Sequence, residues 1–232
     1  MKTKTKALAL ALCAVLLVVS TVFVTMAFLT DRDSVQNTFT FGQVGISLDE
    51  AEVYASGKVK NGENRKSTDG RVQGNEYHLI PGHNYVKDPT IHVDDGSENC
   101  LLFVKLENGL KPIVAGKDTF SAADPADTVY TIEAQMMKNG WTLIDSANNI
   151  WAYNKVVAEN EHIEVFDEFT LTDNADVSNY ATDKDAQGNV KGGKTIKVTA
   201  YAIQADGFVE DTTVSPDDAK NAWGETKDSF GN

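Results

Sequence analysis

The feature that most constrains the fold is a series of short apolar runs, each closed by polar turn residues. The run Cys100–Glu107 is apolar along almost its whole length and ends at Asn108 and Gly109. The segment Lys194–Ala205 is apolar on both parities of a strand. Short apolar runs bounded by turns predict buried β-strands. We therefore expect a core strand at 100–107 and a strand at 194–205 that is central in its sheet.

The rest of the chain alternates further short strands with turns. The pattern predicts strands at 77–80, 90–94, 141–144, 150–153 and 163–171, separated by turns at 81–82, 95–96 and 145–149. A helix is predicted over 121–138, because Val129, Ile132 and Met136 repeat with helical spacing before a stop at 139–140, although residues 129–132 also fit a strand. A second, short helix is predicted to begin with Ser215 as N-cap and to end at Gly224. Many strands with one or two short helices predict an all-β fold, an antiparallel β-sandwich.

The N-terminus has the pattern of an export signal. Three lysines fall within the first six residues, and residues 7–29 carry no charge. A positive start, an apolar core and a small-x-small site predict a secretory signal peptide, cleaved between Ala27 and Phe28. We thus expect a signal peptide at 1–27 and a single β-sandwich domain at 28–232. An uncleaved anchor is the alternative, because a segment of this length can span a bilayer.

The first predicted strand of the mature chain changes face part of the way along. Before Gly42 the apolar side chains fall on one parity, and after it they fall on the other. A shift of one residue exchanges the faces of a strand, which predicts a β-bulge or kink at 42–43. We expect residues 35–48 to form an exchangeable strand, although an ordinary first strand with a bend explains the same pattern. Its expected anchors are Val35, Phe39, Phe41, Val44 and Ile46.

Composition excludes some partners and one kind of covalent crosslink. The formal net charge of −13 opposes binding to nucleic acid. Of the two cysteines, Cys13 lies in the export segment, so the mature chain retains only Cys100 and forms no intrachain disulfide. Cys100 is expected to be a small buried hydrophobe. An exported protein without disulfides fits a Gram-positive cell surface.

The sequence contains no complete motif of a catalytic or metal site. None of its four histidines, His78, His83, His92 and His162, belongs to a His-Glu-x-x-His pattern. The segment 183–188 is similar to the start of a calcium-binding loop, but Lys194 occupies the position that requires a bidentate glutamate. The basic stretch at 55–76 is typical of a solvated loop. We therefore expect no catalytic residue, no metal and no cofactor, and we expect the three tryptophans to pack in the core.

Several segments carry a resemblance to a known family. Following the long apolar segment, residues 27–31 and 37–42 resemble the camelysin/TasA-like family of Gram-positive biofilm matrix proteins, which are substrates of SipW-type signal peptidases. Residues 80–83 are similar to a Pro-Gly turn of that family, and residues 196–208 are similar to its last long strand. The resemblance implies a jelly-roll sandwich in a secreted, extracellular protein. It also implies fibres in which the N-terminal strand of one copy completes the sheet of the next.

The partners implied by the resemblance are copies of the same chain, accessory matrix proteins and the signal peptidase, with membrane contact only through the signal segment before cleavage.

Two alternative functions remain open. Camelysins are described as metalloproteases, so an extracellular metalloprotease is one. A monomeric binding module that presents residues 55–76 or 172–194 to a ligand is the other.

Overall fold

The computed structural model describes residues 43–60, 70–180, 183–184, 190–191 and 194–230. The strands in these residues are β1 (Ile46–Ala51), β2 (Arg71–Val72), β3 (Asn84–Val86), β4 (Thr90–Val93), β5 (Cys100–Asn108), β6 (Val114–Ala115), β7 (Trp141–Asp145), β8 (Ile150–Tyr153), β9 (His162–Glu164), β10 (Glu168–Leu171), β11 (Asp183–Lys184), β12 (Val190–Lys191) and β13 (Ile196–Gln204). The α-helices are α1 (Ile132–Lys138) and α2 (Pro216–Thr226), and short 3-10 helices span Lys111–Ile113, Val177–Asn179 and Lys227–Phe230.

The front layer is built on one long antiparallel ribbon. Strands β3 and β4 belong to two separate sheets, but they pair with β10 and β9 in the same register, which places Tyr85 opposite Phe169 and His92 opposite His162. The ribbon is interrupted at Pro89, which has no N–H to donate, but the Pro89 carbonyl still accepts from Val165 at 2.8 Å. Strand β1 pairs with the other edge of β4, and β2 pairs with β1. Strand β6 pairs with β10.

The back layer is a four-stranded antiparallel sheet with the order β13-β5-β8-β7. Alternate residues of β5 point to opposite faces of this sheet, as the pleat requires. Leu102 and Val104 face the front layer, whereas Leu101 and Phe103 face α2. Both faces of β5 are therefore covered, which explains why its sequence is apolar without alternation.

The core lies between the two layers. Tyr85, Ile91 and Phe169 of the front layer pack with Trp141 and Trp151 of the back layer, and each of these five side chains is at most 2% exposed. A smaller cluster under α2 covers the outer face of the back sheet. The prediction of an all-β antiparallel sandwich with two short helices is confirmed, while its jelly-roll connectivity stays a prediction.

Several predicted elements are confirmed. Strands occur at 90–93 and 100–108, and the hairpin of β7 and β8 turns through Asn149, whose φ of 56° suits an asparagine. Helix α2 begins as predicted, because Ser215 Oγ accepts from the Asp218 N–H at 3.2 Å. Trp141 and Trp151 are core residues, and the ring of Trp223 packs 5.3 Å from that of Phe103.

Two predicted helix boundaries are wrong. Helix α1 begins at Ile132 rather than near 121, because Val129 and Thr131 hydrogen-bond to the backbone of Lys117 and are held out of the helix. Helix α2 continues through Gly224 to Thr226. A glycine weakens a helix by only about 1 kcal/mol and ends it only where the backbone turns left-handed, which does not happen at Gly224.

Two predicted strands are also corrected. Residues 77–80 form no strand, because their backbone bonds go to scattered partners such as the Ala55 carbonyl and the Tyr85 hydroxyl. The 194–205 segment is a strand, β13, but it lies at the end of its sheet rather than at the centre. Its apolar side chains on both faces reflect two covering clusters, which a strand at the end of a sheet can also have.

Candidate functional site: the β13 edge

Strand β13 presents the longest edge in the described part of the chain. One side of it pairs with β5 along its full length, from Ile196 opposite Asn108 to Gln204 opposite Cys100. Within the described residues, no strand pairs with its other side, which we call the β13 edge. An edge of this kind carries a row of N–H and C=O groups that can pair with another strand.

The core becomes thinner towards the β13 edge. Val198, Ala200 and Ala202 face the core between the layers but are only half-buried. Their cross-strand partners in β5 are at most 1% exposed, and these partners are Leu106, Val104 and Leu102. A further strand along the β13 edge would complete the burial of the β13 side chains.

The start of the described chain borders the same edge. Val44, Ile46 and Leu48 pack on the core between the layers and are half-buried. Strand β1 comes within 8 Å of β13 between Cα atoms, and β2 pairs with β1 only at Glu50 and Ala51. Apolar side chains of both layers are therefore incompletely covered on this side of the sandwich.

Little charge protects the β13 edge. Lys197 is the one charged residue of β13, and its ammonium lies 3.9 Å from the Glu107 carboxylate of β5. Natural edge strands are commonly guarded by several charges, by proline or by bulges. The pairing of β13 with β5 is regular, without a shift in register. The edge is long, regular in register and mostly neutral, and these properties favour pairing with another strand.

The predicted assembly residues divide into two groups. Val44 and Ile46 pack on the core between the layers, and Ile46 pairs with Val93 in the same chain. The prediction that 44, 46 and 48 share one face is confirmed, because all three contact the same core. The remaining predicted positions and the cleavage site lie outside the described residues, and these are Ala27, Phe28, Val35, Phe39 and Phe41.

The chain enters the sandwich at one end of β13. The carbonyl of Gln43, the first described residue, accepts from the Glu98 N–H at 3.2 Å. Asn99, which follows Glu98 in the chain, accepts at its carbonyl from the N–H of Ala205 at 2.8 Å, and Ala205 is the first residue after β13. Gln43 therefore lies near the C-terminal end of β13.

A buried ion-pair network replaces part of the predicted solvated loop. Arg71 lies in β2, and its guanidinium pairs with the Asp49 and Asp88 carboxylates, with the Asp88 contact at 3.3 Å. It also donates to Thr90 Oγ1 at 2.8 Å. The Arg71 side chain is 6% exposed, so the prediction of a solvated basic loop is wrong at this position. Composition alone could not show that acidic partners approach from β1 and from the residue before Pro89.

The histidines lie in different surroundings and do not form one cluster. His83 hydrogen-bonds through Nε2 to the Ser56 carbonyl, whereas His92 meets His162 across strands, with their Nδ1 atoms 2.7 Å apart. Within the described ranges, no three side chains among histidine, cysteine, aspartate and glutamate are grouped to hold a metal ion. The segment that is similar to a calcium loop lies largely outside those ranges, apart from β11.

Cys100 behaves as the sequence predicts. Its side chain is fully buried at the start of β5, and the prediction of a small buried hydrophobe is confirmed. Burial, with a smaller contribution from the negative charge of Glu161, raises the pKa of the thiol to about 11. Cys100 therefore remains protonated at neutral pH.

Comparisons with models of protein families, with curated proteins and with solved structures find no match to this chain. The likeness to TasA-like proteins accordingly rests on the sequence segments quoted above. Among the described residues, no helix combines the length and apolar character needed to cross a membrane.

Proposed function

We propose that this protein is a secreted structural subunit of an extracellular matrix fibre, similar to TasA-like proteins. The β13 edge is the observation that supports this function. It combines one side of a nine-residue strand, which no other described strand pairs with, and half-buried apolar side chains of both layers. The first part of the strand predicted at 35–48 supplies an apolar segment, with Phe39 and Phe41 on one face.

The physical basis of assembly would be β-augmentation. Backbone hydrogen bonds to the β13 edge provide affinity that does not depend on sequence, and alternate side chains provide specificity. Burial of one large apolar side chain is worth about 1.5–3 kcal/mol. Phe39 and Phe41 of the added strand would cover the half-buried side chains of β1 and β13. Several such contacts would offset the cost of ordering a free arm.

A strand from a second copy fits the β13 edge better than one from the same chain. An arm of the same chain is attached near the C-terminal end of β13, so along this edge it would run parallel to β13. All ladders between the strands defined above are antiparallel. The corresponding strand of a neighbouring copy can lie antiparallel to β13. The resulting contact is heterologous and does not close on itself, so it produces filaments.

A peptide-binding experiment tests the proposed edge directly. The protein that starts at Gln43 keeps β1 and lacks the arm, and it would be titrated with a peptide of residues 35–42. We expect saturable binding, with the largest NMR shifts at the amides of Ile196–Gln204. The control is the same peptide with Phe39 and Phe41 replaced by serine, which we expect to bind at least about tenfold more weakly, since one aromatic burial exceeds 1.4 kcal/mol. Shifts confined to another strand, or equal binding of both peptides, would refute the proposal.

A further inference from the structure

Two histidines form a polar pair on the outer face of the front layer, on the opposite side from the core. His92 of β4 and His162 of β9 are direct cross-strand partners. Their Nδ1 atoms lie 2.7 Å apart and their ring centroids 4.6 Å apart. The His92 side chain is 15% exposed and held in place, whereas His162 is open to solvent. A small ion can therefore reach the pair from outside.

The surroundings of His92 fix which of its nitrogens carries the proton. Nε2 of His92 lies 2.8 Å from Asp49 Oδ1, and the same carboxylate is held by Arg71. A carboxylate only accepts, so neutral His92 donates its Nε2 proton to Asp49 and keeps a lone pair on Nδ1. That lone pair points to His162. In this state His162 donates the proton of its own Nδ1 to His92.

A change of tautomer in His162 turns this pair into a chelate. When the proton of His162 moves from Nδ1 to its exposed Nε2, both Nδ1 atoms present lone pairs to the same point. Two facing lone pairs repel each other without a cation and bind one favourably. A carboxylate behind a ligating histidine is the usual arrangement at protein metal sites, where it orients the ring and raises its basicity.

We propose that His92 and His162 bind a divalent transition-metal ion between their Nδ1 atoms. This site is independent of the β13 edge and of the proposed fibre function. Because no third histidine, cysteine or carboxylate of the described residues joins the group, water completes the coordination. The ion would join β4 to β9 on the outer face of the front layer.

The general order of metal affinity favours Cu²⁺ at this site. For a given set of nitrogen ligands, affinity rises from Co²⁺ through Ni²⁺ to Cu²⁺ and falls again at Zn²⁺. Two imidazole nitrogens completed by water also fit the tetragonal coordination that Cu²⁺ prefers.

Titration of the purified chain with Cu²⁺, followed by electron paramagnetic resonance, tests this site. We expect one equivalent of Cu²⁺ to bind with a spectrum that shows two equatorial nitrogens. His162→Gln is the main test variant, because His162 is exposed and its loss should leave the fold intact, as checked by circular dichroism. We expect that variant to lose the two-nitrogen signal and at least about tenfold in affinity. His92→Gln should behave in the same way.

The matched control is His83→Gln, which removes a histidine that bonds to a backbone carbonyl away from the pair. This variant should retain the wild-type affinity and spectrum. Three results would overturn the proposal: no saturable binding to the wild-type chain, unchanged binding in His162→Gln, or loss of binding in His83→Gln.

Discussion

Arg71 shows how a single charged residue can be decisive for this fold. It comes from the one basic stretch of an acidic chain, yet it is buried between two carboxylates that belong to different parts of the front layer. The Asp88 carboxylate also accepts from the Ala51 N–H at 2.8 Å, so the network ties β1 and β2 to the start of β4. Removal of one partner from a buried pair leaves the other charges without compensation.

We expect Arg71→Met to lower the free energy of unfolding by about 3–5 kcal/mol, because the buried Asp88 and the half-buried Asp49 would lose their cation. Chemical denaturation followed by the fluorescence of the buried tryptophans measures this change. The control is Lys60→Met, which removes an exposed pair with Glu52 and should cost less than about 1 kcal/mol. Equal losses in the two variants would show that the Arg71 network is not a stabilising element.

At the scale of residues, the sequence predicted which side chains are buried better than it predicted which side chains contact each other. Burial of Cys100 and of Trp141 follows from their apolar neighbours, and both are buried. The pairing of His92 with His162 could not be predicted in the same way, because it depends on the register of two strands that lie far apart in the sequence. The same limit applies to Arg71, whose partners come from two other segments of the front layer.

At the scale of elements, local signals determine where several strands and helices begin or end. The Ser215 cap, the Asn149 turn and the end of β5 at Asn108 are all encoded within a few residues. Errors arose where a distant segment supplied the backbone partners. Lys117 holds Val129 and Thr131 in an extended form and so shortens α1. The local pattern of residues 129–132 fits a strand as well as a helix, and the contact with Lys117 decides between the two.

The cap of α2 gives a prediction at this scale. We expect Ser215→Ala to destabilise the protein by about 0.5–2 kcal/mol, because the Asp218 N–H loses its acceptor. Helix α2 covers the outer cluster of the back sheet through Ala219 and Ala222, so the loss should appear in global thermal unfolding. The control is Asn221→Ala on the exposed face of the same helix, which should be neutral or stabilising. A Ser215→Ala variant as stable as wild type would contradict the role of the cap.

At the scale of the whole molecule, the position of β13 matters most. The sequence predicted this strand correctly but placed it in the centre of its sheet, because apolar side chains on both faces are typical of central strands. In the structure the second apolar face is covered by α2 and the segment before it rather than by further strands. Strand order is a property of the assembled sandwich, so no local pattern could supply it.

The bounds of β1 decide which truncation tests the fibre proposal. Removal of residues up to Leu48 would also remove Ile46 and Leu48, which belong to β1 and to the core. A form that starts at Gln43 removes the predicted donor arm and keeps all of β1. It should fold as well as the longer form, with the same circular dichroism spectrum.

Electron microscopy of the form that starts at Phe28, beside the form that starts at Gln43, is the most direct test of the central claim. We predict filaments from the first form and dispersed, folded particles from the second, because only the first carries a strand to donate to the β13 edge. Adding Phe39→Ser and Phe41→Ser to the first form should also abolish the filaments. Filaments from the Gln43 form, or dispersed particles from the Phe28 form at every concentration and pH, would contradict the account.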